Sequence, residues 1–78
     1  MNLKMKYPTL KELETADRIQ IARWYRYLPS PGVSALGKDN FIEVCNHEAM
    51  LMHRINQRFM ELGGMTPELS KTISWKDA

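Results

Sequence analysis

Residues 40–64 read NFIEVCNHEAMLMHRINQRFMELGG, and this stretch decides the fold. Between Asn40 and the Gly63-Gly64 pair lie about 22 residues without proline or glycine, enough for one long helix. Phe41, Val44, Leu51, Met52, Ile55, Phe59 and Leu62 fall together as one wide apolar stripe. Asn40 with Glu43 three residues later resembles a capping box with an asparagine cap, and the two glycines supply the stop. Ile42, Ala49 and Met60 spread a second, weaker apolar strip around the side. One short partner helix cannot cover that much circumference, so the helix is expected to serve also as a self-association seam.

Upstream, RWYRYLPSPG (residues 23–32) crowds two arginines and three aromatic side chains into five positions and then turns through two prolines and a glycine. From Ala16 the period is helical, with Ile21, Trp24 and Leu28 on one face and Tyr25 beside them. PSPG ends that helix, because proline lacks the amide and pushes its predecessor toward extended geometry. TLKE reads as a capping box, Thr9 with Glu12. Either one helix runs on from there to Leu28, or Thr15 acts as a second cap and residues 10–14 form a turn of their own. Residues 1–8 read as a basic, loosely held arm, and residues 33–38 as a connection with one loose turn.

Downstream, TPELS restarts a helix, with Thr66 as cap, Pro67 in the first helical position and Glu68 favourable to the dipole. This third helix is expected over residues 67–73, with Trp75 folding back as a lid. The expected fold is all-α: a small bundle of two main helices plus a short C-terminal helix, forming a single helical domain over residues 9–78.

Composition sets the outer bounds. At 78 residues the chain sits near the lower size limit for folding without staples. Its single cysteine, Cys45, rules out an internal disulfide and a paired-cysteine zinc site. Packing against copies of itself is then the remaining source of extra core. A net charge of +2 does not demand nucleic acid. No run approaches the roughly 20 apolar residues of a membrane span, and the start has no apolar run of signal-peptide length. With a free thiol as well, the simplest location is the cytoplasm.

No residue set announces catalysis. His47 and His53 are six apart, whereas helical metal ligands sit three or four apart, so no metal or other cofactor is expected. Cys45, at the edge of the long stripe, reads as a small buried hydrophobe. Glu48 is more informative, since it falls amid Val44, Leu51 and Ile55, where a carboxylate must be paired or hydrogen-bonded. Its partner is either a structural one, an arginine or a Trp or Tyr donor, or a ligand in a cavity between helices.

The other candidates surround Trp24. Arg23 and Tyr27 are helical neighbours, as are Arg18 and Tyr25 two turns apart, while Arg26 faces outward. Guanidinium forks suit phosphate, and tyrosine offers a face for a base. Ser30, Gly32 and Lys38 would add a hydroxyl, a free amide and a further cation. The plainer account is that the tyrosines finish the core and the arginines keep the helix soluble.

DRIQIARWYRYLPSPG (17–32) taken together with ELGGMTPELSK and ISW (61–71 and 73–75) resembles small reading frames of tailed bacteriophages and prophages. The resemblance spans about residues 10–75. Such frames carry no agreed catalytic residues, so it transfers no site. It implies host takeover or counter-defence by binding.

Two functions follow as expectations. One is a non-enzymatic homo-oligomer that sequesters a phosphate-bearing nucleotide signal. The alternative is an inhibitor that covers a host defence protein through the Arg- and aromatic-rich helix, whose residue types also favour interface hot spots. Nucleic acid ranks behind both. About eleven residues separate Leu28 from Asn40, too many for a helix-turn-helix, and nine acidic residues offset eleven basic ones.

Overall fold

The computed structural model describes residues 6–73. Among them every regular element is helical and there are no strands: α1 (Leu10–Thr15), α2 (Arg18–Tyr27), a single 3-10 turn (Val33–Ala35), α3 (Phe41–Glu61) and α4 (Pro67–Thr72). Trp75 lies outside the described residues.

The expected caps are mostly in place. Thr9 and Glu12 form the full capping box, with Glu12 N–H to Thr9 Oγ1 at 3.1 Å and Thr9 N–H to Glu12 Oε1 at 2.9 Å. Thr66 accepts from the Leu69 amide at 3.1 Å, with Pro67 opening α4. The glycines close α3 as a Schellman motif: Gly64 N–H reaches Phe59 O at 2.9 Å and Gly63 N–H reaches Met60 O at 3.1 Å. Both glycines have positive φ, +108° and +67° for Gly63 and Gly64.

Three local expectations are corrected. The cap of α2 is Asp17, which accepts from Gln20 N–H at 2.9 Å. Thr15 is instead the last residue of α1 and turns its hydroxyl back onto Lys11 O at 3.0 Å. Asn40 does occupy the N-cap of α3, but its side chain makes no capping bond, so no box forms with Glu43. And α4 ends at Thr72, one residue early, because Ile73 has left helical geometry.

The core joins Leu13 of α1, Ile21, Ala22 and Trp24 of α2, Leu51, Ile55 and Phe59 of α3, and Leu69 and Ile73 at α4. Leu28 packs against it half-buried. α2 and α3 run in opposite directions. Arg18, at the start of α2, reaches Gly64 beyond the end of α3, while Gly32, past the end of α2, meets Glu48 nearer the start of α3. α1 is held by Leu13 in the core and by contacts from two α3 arginines. Arg58 Nη1 donates to Leu13 O (2.9 Å) and Ala16 O (3.0 Å), and Arg54 grips Glu14 with both Nε and Nη2, at 2.6 and 2.8 Å.

The expected loose arm is docked by its seventh residue. Pro8 is buried, and the half-buried Tyr7 hydroxyl donates to Pro29 O at 2.6 Å. Burial, helped by the nearby Glu48 carboxylate and Cys45 thiol, pushes the phenol up to about 12 from 10.0. The unfolded chain therefore releases this proton first as pH rises. Tyr7 contributes its full stability below pH 10, and that contribution falls away between pH 10 and about 12. Melting curves at pH 9 and pH 11 should show a drop that Tyr7→Phe lessens; equal drops in both proteins would show that Tyr7 is not the titrating group.

Candidate functional site

The nine expected binding residues divide among separate places. At the start of α2, Arg18 Nη2 donates to Gly64 O at 3.3 Å, while its buried Nε has no partner among the described residues. Tyr25 stacks on Phe59, with centroids 4.1 Å apart and planes 12° from parallel, leaving one ring face outward. Facing α4, Arg26 Nη1 reaches Ser70 Oγ at 3.2 Å and the Tyr27 hydroxyl donates to Ile73 O at 2.9 Å. One member of each couple drawn along the sequence is thus bonded to another element. Arg18 serves the end of α3 and Tyr27 the end of α4. Arg23 is half-buried and makes no hydrogen bond to the described residues.

Ser30, Gly32, Lys38 and Glu48 lie toward the other end of α3. Ser30 and Lys38 are exposed, and their carbonyls close local turns onto Val33 and Phe41. Glu48 has a fixed partner, but it is neither arginine nor aromatic. Its Oε1 accepts from the Gly32 amide at 2.9 Å. Gly32 has φ +89°, and a Cβ there would stand 3.0 Å from Phe41 Cε1 and 3.1 Å from Cys45 Cβ. The Cys45 thiol lies 3.8 Å from Pro31 O. This corner pins the PSPG turn onto α3.

Its energetics can be read by substitution. Glu48→Gln keeps an acceptor for Gly32 and should melt close to the parent. Glu48→Ala strands the amide of the buried Gly32 and should lose about 1–3 kcal/mol. Gly32→Ala meets both the left-handed backbone penalty and the two contacts, and should cost about 2 kcal/mol or more. Urea titrations of the three variants check the order; equal losses for Gln and Ala at position 48 would mean that charge, not the hydrogen bond, holds the turn.

A concavity of about 520 Å³ opens between the start of α2 and α4, lined by Asp17, Arg18, Ile19, Thr66, Glu68, Leu69 and Thr72. Only Arg18 among the expected residues reaches it. Asp17 and Glu68 outweigh that single cation, so its charge is wrong for a phosphate. Among the described residues no cluster of three metal-ligating side chains exists, and both histidines are exposed. No described helix is long and apolar enough to cross a membrane.

What the sequence reading underweighted is the outer side of α3. At about 100° per residue, Glu43, Arg54, Arg58 and Glu61 share one flank, and Glu48 points inward to Gly32. The remaining exposed arc carries no formal charge, yet includes Ile42 at 65%, Met50 at 45% and Met60 at 70% exposure. Its signal was the position of the charges, not the number of apolar residues.

Comparison with known proteins finds no matching family model, no matching curated protein and no matching solved structure.

Proposed function

We propose that the protein is a non-enzymatic binding protein that works as a homo-oligomer assembled on the exposed face of α3. The observation that carries this reading is the charge-free outer arc of that helix, with Ile42 and Met60 about two-thirds exposed in so small a domain. Of the two ligand classes, the geometry favours a protein over a nucleotide. Holding a phosphate takes several charge-assisted donors converging on one point. Arg18, Arg26 and Tyr27 each already donate to another part of the chain, which leaves Arg23 alone on α2. On this reading, the counter-defence role implied by the phage resemblance would be exercised by covering a host protein. Ile19, Arg23 and Arg26 lie along the outer side of α2 with the i, i+4, i+7 spacing of helix anchors.

Native mass spectrometry of the full chain purified from cells tests both parts together. The expected spectrum shows more than one copy and no bound nucleotide. A monomer at micromolar concentration would overturn the oligomer, and a stoichiometric nucleotide would overturn the choice of a protein partner.

A further inference from the structure

Six residues of α3 form its outermost line: Ile42, Asn46, Ala49, His53, Asn56 and Met60. All six are exposed, and their spacing alternates four and three, the repeat of a helix-pairing seam. Their order is also symmetrical. Leu51 is the midpoint of Phe41–Glu61, and each of the six has a counterpart equally far on the other side of it. Ile42 mirrors Met60, Asn46 mirrors Asn56, and Ala49 mirrors His53.

We infer that two copies pair antiparallel along α3, with the two-fold axis at the level of Leu51. This rests on the oligomer reading above and fixes its partner and direction. In an isologous pair, residue i meets j and j meets i. Reversing one copy therefore sets Ile42 against the partner's Met60, both apolar. It sets Asn46 against the partner's Asn56, two amides that can each donate and accept. Ala49 meets the partner's His53, small against large, so the layer fills. A parallel pair would instead stack Ala49 on the partner's Ala49, leaving a gap, and His53 on the partner's His53.

Charge agrees with a second copy as the occupant, and size makes the pairing a weak one. The formal charges of α3 stand outside the seam, so pairing buries none of them. Met50 and Met52 lie one residue either side of the axis, on opposite flanks, and each approaches its own counterpart. A 21-residue helix is about 32 Å long and about 10 Å wide with its side chains. A strip of that size covers about 320 Å² on each copy, or about 640 Å² in total, short of the roughly 1,200 Å² at which stable specific interfaces begin. The dimer is therefore reversible and concentration-dependent.

Disulfide trapping tests the direction. Asn46→Cys and Asn56→Cys are each made in the full chain with Cys45→Ala, and oxidised separately and as an equal mixture, with circular dichroism confirming helicity and light scattering the copy number. In the antiparallel pair position 46 faces position 56, whereas like positions lie about 15 Å apart, beyond the roughly 7 Å that a disulfide spans. The expected result is about a tenfold excess of mixed over like-with-like product. Efficient trapping of each variant with itself would establish parallel pairing and overturn the inference while the oligomer stands. A dimer by scattering that traps in no combination also overturns it, placing the contact elsewhere. A monomer overturns the inference and the oligomer together.

Discussion

Ile55→Asp leaves the chain unfolded at 25 °C, with the helical circular dichroism signal lost. Ile55 is fully buried at the centre of the core, between Leu51 and Phe59 on the same helix face. The substitution removes about 1.5–3 kcal/mol of apolar burial. It also places an unpaired carboxylate where the core offers no cation, at a further cost of several kcal/mol. A domain of this size holds only about 4–10 kcal/mol in all. Ile55→Val, which keeps the shape, should cost about 0.5–1.5 kcal/mol and stay folded. Met52→Asp provides the contrast: Met52 is half-buried on the flank of α3, so helicity should survive while copy number falls. A folded Ile55→Asp protein with an unchanged melting curve would mean that the core is placed wrongly.

The second large effect is expected at Arg58. Leu13 O is one of the carbonyls that the end of α1 leaves without a helical partner, and Ala16 O belongs to the corner that follows. α1 has no basic residue in its own last turn, so Arg58 supplies the donor from α3 with bonds of 2.9 and 3.0 Å. Arg58→Met keeps the apolar stem and removes both bonds. At about 1.5–3 kcal/mol for a bond with a charged donor, partly recovered by water, the loss should be about 2–4 kcal/mol. That corresponds to a fall of roughly 10–25 °C in Tm for a domain of this length. Arg54→Met, which breaks an exposed ion pair to Glu14, should leave the melting curve almost where it was. The Arg54 guanidinium holds the Glu14 carboxyl below its usual range, so whatever this pair adds is present at neutral pH and fades as acid protonates Glu14. Equal shifts in the two variants would remove the distinction between them.

α3 was legible because its signals are local. An uninterrupted apolar period and a glycine pair fix its course, and Leu51, Ile55 and Phe59 are buried as that period requires. The start of α2 was not legible. Thr15 and Asp17 are both good caps by residue type, and what distinguishes their sites is a tie from Arg58, more than 40 residues away. Glu48 was rightly read as needing a partner, but the partner is the amide of Gly32, which no side-chain letter announces. One member of each arginine and tyrosine pair is engaged elsewhere for a related reason. Neighbours on one helix can each find a better acceptor on another element, as Arg18 does at Gly64 and Tyr27 at Ile73.

Every half-buried tie between distant parts of the described chain runs from a side chain to the main chain: Tyr7 to Pro29, Arg18 to Gly64, Tyr27 to Ile73, Glu48 to Gly32, Cys45 to Pro31, and Arg58 to Leu13 and Ala16. Ties between two side chains, Arg26 to Ser70 and Arg54 to Glu14, are confined to the exposed surface. Every residue brings a carbonyl, whatever its side chain. The carbonyl half of such a tie therefore survives a change of side chain, and the burden of keeping the bond falls on one position; the Gly32 amide, whose residue must be glycine, is the exception. In a lineage descended from this chain, these bonds would hold Tyr7, Arg18, Tyr27 and Arg58 fixed, while the residues they grip answer only to their other duties, Leu13 and Ile73 to the core and Gly64 to its backbone turn. Correlated substitution, the usual trace of contact, would be silent at the joints where α1 and α4 are fastened to the rest.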